Sequence, residues 1–567
     1  MLVFASYTMY QSERRAEQAL VLEEQVRIEK AAEEASSSAG DAYGRGDSGF
    51  GSAADSVADS AGSARATADS TRERVAPSVP VRSIEAHVST LQNDHVIAKI
   101  SNEPELISSW TLLEFNERTP DGNVPIELVD EETPVFGTDV LGIAGVSFAR
   151  QRFEVVRESG REVVQRAENS AGVLTRTFRL DSDGYGFALD LVFDSRRADL
   201  VDAAFQVRIP ARVSDRADFK ELSLVAFSEN SGVTRELIAG IGRPGFFSFG
   251  AVPEPTIQVE GKSKWAGFDA QFFNALVIDP SDTGRLDVDF VAIEAGELVG
   301  AKATLPAISV GSGGSASASL RGFLGPKTAA ALGSANAGLE SSVDRGWSWL
   351  EPLTRFFEVA LDWLYAVIPN YGWAIIVLTI MVRLVTAPLM VRQMRSAERM
   401  REVQPKIKAL QERHKDDRQK QSEEMMKLYK EEKINPLGGC FPLLLQMPVL
   451  IGLFYALRTS IGLRHAPWIL WINDLSQPAT AFTIPGLDFP VRILPLIMGA
   501  SMFVQQKMMP QTGMDPVQAK MMLIMMPGMM LLISYTFPSG LVLYWTVSNL
   551  LGIAHQYWVR NHLQPKG

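Results

Sequence analysis

Residues 371–390 read YGWAIIVLTIMVRLVTAPLM, an apolar run interrupted by a single charge, Arg383. At 1.5 Å of rise per residue these twenty residues cover about 30 Å as a helix, the thickness of a bilayer's hydrocarbon core. Arg383 stands five residues before Pro388, which puts it about 8 to 10 Å inside the end of the span. An arginine at that depth costs a few kcal/mol unless its guanidinium reaches water or a partner. It can snorkel to the headgroups, or it can face a water-filled cavity. Thr379 lies on the same face at i−4 and carries the polar strip inward.

Four further apolar segments follow at about 442–457, 493–504, 521–537 and 541–558. None of the five contains Asp or Glu, so an unpaired Arg383 implies water beside it. The last segment has its own polar strip, Trp545, Ser548, Asn549, Gly552 and Gln556, at helical spacing. Two helices with one polar face each can wall a hydrophilic groove, although polar and small residues also serve ordinary helix packing. The stretch 493–504 is only about 18 Å of helix, a mismatch relieved by thinning the bilayer or admitting water. Of 20 Met in the chain, 11 fall between Met498 and Met530. Flexible thioethers suit contact with many apolar sequences, and equally suit a lipid-facing helix.

The longest connection, 391–433, holds 13 Lys/Arg against 9 Asp/Glu. Met400, Val403, Ile407 and Leu410 form one apolar stripe there, and Met425, Leu428 and Tyr429 another, predicting a helical hairpin able to touch lipid, RNA or a nascent chain, or simply solvated. By the positive-inside rule this loop is cytoplasmic. Counting spans places the C-terminus in the cytoplasm and the residues before 371 outside.

Those residues have a different texture. Residues 1–343 carry 32 basic and 50 acidic side chains, whereas 344–567 carry 23 and 16, so the net charge of −11 joins an acidic part to a basic one. Residues 344–370 include WSWLEPLTRFFEVALDWLYAVI, an amphipathic helix rich in the aromatics that favour a membrane interface. Through 83–343 the apolar period is two, as in Phe187, Leu189, Leu191, Phe193 and in Phe205, Val207, Ile209, predicting a large antiparallel β-sandwich. Within it SVGSGGSASAS, 309–319, reads as a flexible loop or edge. Residues 13–82 have a disordered composition. MLVFASYTMY at the start is too short to cross and reads either as a truncated membrane anchor, 1–12, or as a frayed terminus; an external sandwich favours the anchor. The fold class expected is therefore α+β: a polytopic helical bundle of five core spans plus a truncated N-terminal one, bearing an extracytoplasmic sandwich.

The single Cys440 excludes a disulfide framework. The six His never fall at i, i+4 spacing, so no zinc ligand set can be read, and no GxxxxGK phosphate loop is present. No cofactor is implied.

The strings LTIMVR, QPKIKALQERHKDD, EEKINPLGGCFPLLLQMPVLIGLFYALR, WINDLS and FPSGLVLYWTVSNL resemble the Gram-negative branch of the YidC/Oxa/Alb insertase family, almost continuously from Asp344 to the C-terminus. VEGKSKWAGFDAQFF and GFLGPK in the β-region resemble it more weakly. The resemblance implies a non-enzymatic insertase and chaperone of inner-membrane proteins, acting alone or with the Sec translocon. Its partners would be nascent membrane proteins, lipids and the ribosome, and it would act as a monomer. Arg383 then matches the groove arginine that attracts acidic residues of a substrate tail, and Thr379 the groove threonine, with Trp545, Ser548 and Asn549 beside them. Met447, Leu450, Ile533 and Trp545 match the apolar slide along which the entering helix passes; at 545 the family often has Tyr. The tail NHLQPKG lacks the long basic extension of some relatives. Two other classes stay open: a secondary transporter, which needs an acidic or His site within the spans, and a membrane-anchored carbohydrate-binding or carbohydrate-active protein, which needs a His and carboxylate cluster in the sandwich.

Overall fold

The computed structural model describes residues 84–562 apart from 120–121, 144, 213–218, 220–221, 242–254, 282–283, 296, 336, 415–416, 433–440 and 509–515. The expected anchor at 1–12, the linker at 13–82 and Cys440 lie outside the described residues.

Residues 88–326 form two large antiparallel sheets, one of ten strands and one of nine. Strand Gly186–Ser195 shows how the sequence builds them: Phe187, Leu189, Leu191 and Phe193 are buried while their neighbours are not. Val201–Arg212 repeats the pattern between strands Val135–Leu141 and Leu298–Thr304 in the other sheet. The buried faces of both sheets meet in one apolar core.

The stretch 309–319 is loop and edge only in its first half: Ile308–Val310 is a short strand paired on one side with Val201–Arg212, whereas 315–319 lie inside a sheet. After a turn at 311–314 the chain enters strand Ser315–Pro326, an inner strand paired with Gly186–Ser195 on one side and Phe273–Ile278 on the other. Its small residues mark a lane that leaves room for aromatic neighbours. A Cβ on Gly322 would lie 2.0 Å from a ring carbon of Phe187, and Ala316 sits opposite Phe193.

The core also holds a cation. Arg176 is fully buried, donates to the carbonyls of Ser101, Glu103 and Pro104 and to Gln165 Oε1, and stacks 3.7 Å over the Phe153 ring. Burial pushes its guanidinium down to about 9, against the opposing pull of Glu105 and Glu103.

The helices are α1 (Ala329–Ser334), α2 (Glu351–Val367), α3 (Tyr371–Arg413), α4 (Arg418–Glu431), α5 (Phe441–Thr459), α6 (Ile493–Met508), α7 (Pro516–Ser534) and α8 (Ser539–His562). In α2 the residues Phe357, Leu361 and Leu364 face Leu453, Ala456 and Leu457 of α5, while Phe356, Val359, Trp363 and Val367 remain exposed. Asn370 starts α3 by accepting a hydrogen bond from the Trp373 N–H.

The span and the first arm of the expected hairpin 391–433 are one helix: α3 runs through Pro388 and Pro405 to Arg413, 43 residues and about 65 Å. Each proline removes one i→i−4 bond, and the long-chain residues around them favour helix strongly enough to carry it on. The two apolar stripes meet as the sequence requires: Val403 and Ile407 pack against Met425, Leu428 and Tyr429.

By length and composition one described helix, Tyr371–Val391, is long and apolar enough to cross a membrane. Met447–Thr459 and Leu523–Ser534 are shorter apolar helices.

Candidate functional site: a polar groove between three helices

α8 packs against α3 on one side and α6 on the other, and among the described residues α3 and α6 make little contact with each other. The polar strip of α8 lies between them, with Ser548, Asn549 and Gln556 all buried. Leu541, Val542, Leu543 and Tyr544 anchor that helix in the apolar core with Ala374, Ile375 and Leu378 of α3. The polar turns that follow are thus held in register with Arg383.

Arg383 reaches across to α8, its Nε and Nη2 donating to Ser548 Oγ at 3.0 and 2.5 Å. Its Nη1 is buried and has no hydrogen-bond partner. Among the described residues no carboxylate pairs with it. Asn549, one residue on, turns to the other wall and donates from Nδ2 to Ser501 Oγ of α6 at 3.2 Å. Between them Gly552 lets the Gln505 side chain come close. A Cβ there would lie 2.7 Å from Gln505 Nε2 of α6 and 3.8 Å from Arg383 Nη2.

The structure therefore brings together Arg383, Ser548 and Asn549. Thr379 is fully buried and donates its hydroxyl proton to the Ile375 carbonyl of its own helix at 2.6 Å, which leaves its oxygen only as an acceptor. Trp545 is half-buried against the apolar core. Met447 on α5 and Ile533 on α7 are each 41% exposed, and Leu450 is half-buried. On α7 Met521, Met525 and Met529 form an exposed stripe at i, i+4, i+8. Ser501 and Gln505 were not singled out from the sequence: they share one face of α6 at i, i+4, but two polar residues in a short apolar helix do not point to a partner until that face is laid against α8.

At the end nearest the sandwich the gap is covered. Trp468 packs on Gly372, where a Cβ would lie 2.1 Å from an indole carbon, and on Trp373 at 5.8 Å. Gly540 N–H and Ser539 N–H of α8 donate to the carbonyls of Leu475 and Gln477. Arg118 of the sandwich clamps the same segment, donating to the carbonyls of Asn473 and His465, both at 3.0 Å.

The sandwich has a His and carboxylate cluster of its own. His95 sits between Glu114, 3.1 Å from Nδ1, and Asp183, 2.8 Å from Nε2, and Tyr185 donates to Glu114 at 2.8 Å. Both ring nitrogens are thereby engaged by carboxylates. The two family-like strings of the sandwich also meet: Lys327 donates to Asp269 Oδ1 and to the Ala270 carbonyl, both at 2.9 Å.

The family model described as 60Kd inner membrane protein matches residues 363–566, and that described as YidC periplasmic domain matches 89–358. A membrane protein insertase YidC of Pelobacter propionicus is 33% identical over 497 residues, covering 85% of this chain and 88% of that protein. The chain belongs to the YidC membrane protein insertase family. A YidC of Pseudomonas putida is 46% identical over 261 residues, which span 46% of this chain and 44% of that protein. A solved structure, the active YidC insertase with its first transmembrane domain resolved, is similar over 84% of this chain and 93% of its own, at 19% identity and a TM-score of 0.35. The YidC-family match to 363–566 contains every groove residue named above. The sandwich corresponds to the YidC periplasmic domain.

Proposed function

We propose that this chain inserts and folds inner-membrane proteins through the groove between α3, α6 and α8, alone or beside the Sec translocon, with no chemical reaction of its own. The observation that carries this reading is Arg383: a cation set among apolar helices, held by a neutral hydroxyl, with both N–H donors of Nη1 left over. Such a group draws in an acceptor of negative charge, and a substrate's acidic tail supplies one. The tail enters the groove, and the apolar segment behind it then passes over Met447, Leu450, Ile533 and the Met-rich face of α7 into lipid. Burial of that segment drives the step. Family membership supports a non-enzymatic role.

In this reading α3, α5, α6, α7 and α8 are the five core spans of a multi-pass inner-membrane protein. The hairpin 391–433 and the C-terminus lie in the cytoplasm, the sandwich 83–343 in the periplasm, and the helix of 344–370 at the interface. The basic balance of 391–433 supports this orientation. So does the covered end of the groove, which is the end facing the sandwich. The chain acts as a monomer, with nascent chains, lipid and the ribosome as partners.

The test is photo-crosslinking from Met447 and Ile533 to a stalled single-span nascent chain in membranes. Crosslinks at both positions are expected, together with loss of insertion in Arg383→Ala. No crosslinks, combined with full insertion by Arg383→Ala, would remove the mechanism.

A further inference from the structure

The polar strip on α8 does not stop at the residues that bind the walls. Gln556 lies one turn beyond Gly552 and two turns beyond Asn549, on the same face that fills the gap between α3 and α6. It is 7% exposed, and its Oε1 is buried without a hydrogen-bond partner. The groove thus holds two kinds of unspent polar capacity, a donor at Arg383 Nη1 and an acceptor at Gln556 Oε1.

A carboxylate side chain satisfies only the first, because it accepts and cannot donate. Gln556 lies eight residues from Ser548, about 12 Å along the helix axis. An extended peptide advances about 3.4 Å per residue, so the same span takes up three or four residues of substrate. A chain whose acidic side chain lies on Arg383 therefore presents a main-chain N–H near Gln556 with any residue but proline there.

We infer that Gln556 accepts a main-chain N–H of the entering polypeptide, so that the groove grips an extended peptide backbone as well as its charge. This rests on the insertase reading above. It adds a contact that every substrate can make and that uncharged tails use alone.

The test uses the full-length protein in liposomes and a synthetic single-span polypeptide with one aspartate in its tail. Amide-to-ester replacements are walked along that tail, each removing one N–H donor while keeping the chain's shape. Insertion is expected to fall about fivefold when the ester lies three or four residues from the aspartate, the loss of one hydrogen bond. Gln556→Leu is expected to give the same drop, and combining it with that ester no further one. An ester effect independent of position, or one that adds in full to Gln556→Leu, overturns the inference. The ester scan needs no altered protein, so a folding defect in Gln556→Leu leaves it decisive. Arg383→Ala with the same probe separates the two levels: if it inserts normally the groove reading itself fails, whereas Arg383 dependence with a flat ester scan sinks only the role of Gln556.

Discussion

Arg383 and Ser548, 165 residues apart in sequence, are joined across the groove by two hydrogen bonds from one guanidinium to one hydroxyl. The partner is neutral, so the arginine's direction is fixed while its charge is left for something else. Ser548→Ala should keep the charge and lose the aim. Insertion of a substrate with an acidic tail should fall about ten- to a hundredfold, the worth of one charge-assisted bond, and Ser548→Thr should restore it. Protease protection of the translocated tail reads the outcome. Arg383→Lys completes the set, retaining function if charge alone matters and losing it if the planar fork does.

Gly552 is buried between Gln505 of α6 and Arg383 of α3. Gly552→Ala meets only the end of the Gln505 side chain, which can swing away, so insertion should change less than about twofold. Gly552→Leu should abolish it by filling the site, at a stability cost of about 1 to 3 kcal/mol from overpacking that leaves the protein folded. Normal insertion by the leucine variant would mean that substrates pass elsewhere.

Lys327 and Asp269 form an ion pair in which both side chains are almost wholly buried, with Arg235 on the other carboxylate oxygen. Removing the ammonium in Lys327→Met leaves Asp269 with Arg235 alone and should destabilise the sandwich by about 3 kcal/mol. Adding Asp269→Asn should recover part of that loss. Chemical denaturation of the intact protein, followed by fluorescence of the sandwich tryptophans Trp110 and Trp265, provides the measurement.

His95 supplies a pH dependence. Burial pulls its imidazole down, but bonds to Asp183 and Glu114 outweigh that and hold it above the ordinary value. A raised folded value means its stabilisation is complete below the unfolded pKa of about 6.5 and is lost as pH climbs through the folded one. The sandwich should therefore melt at a lower temperature at about pH 9 than at about pH 6, and His95→Gln should flatten that difference. A slope unchanged by the substitution would assign it to other groups.

Arg118 ties the sandwich to the segment that covers the groove's end. Arg118→Ala should speed amide hydrogen exchange across 465–475 without changing the melting of the sandwich. If exchange there stays as slow as in the unaltered protein, the packing of Trp468 on Gly372 holds the segment unaided.

Much of this was legible in sequence where one face decides the pattern. Phe187 to Phe193 announced a half-buried strand by their period of two, and Val403 and Ile407 with Leu428 and Tyr429 announced a hairpin by their stripes. Arg383 stood out because a charge in an apolar run has few explanations. What stayed hidden depends on pairing. Ser315 to Ser319 look like linker until they are set beside Phe193 and Leu191, and Ser501 looks like packing until Asn549 reaches it. Thr379 shows the converse: its position on the strip was correct, but its hydroxyl could turn back to Ile375, a choice no spacing reveals.

The unbroken length of α3 gives the protein a lever. Arg383 and Ile407 sit on one rod, 24 residues and about 36 Å apart. A rotation of about 5° about the arginine would sweep the hairpin through about 3 Å. Both Pro388 and Pro405 lie between the two, the points at which the rod would bend instead of turning, so a displacement of the arm would reach the charge only as far as those two turns stay straight.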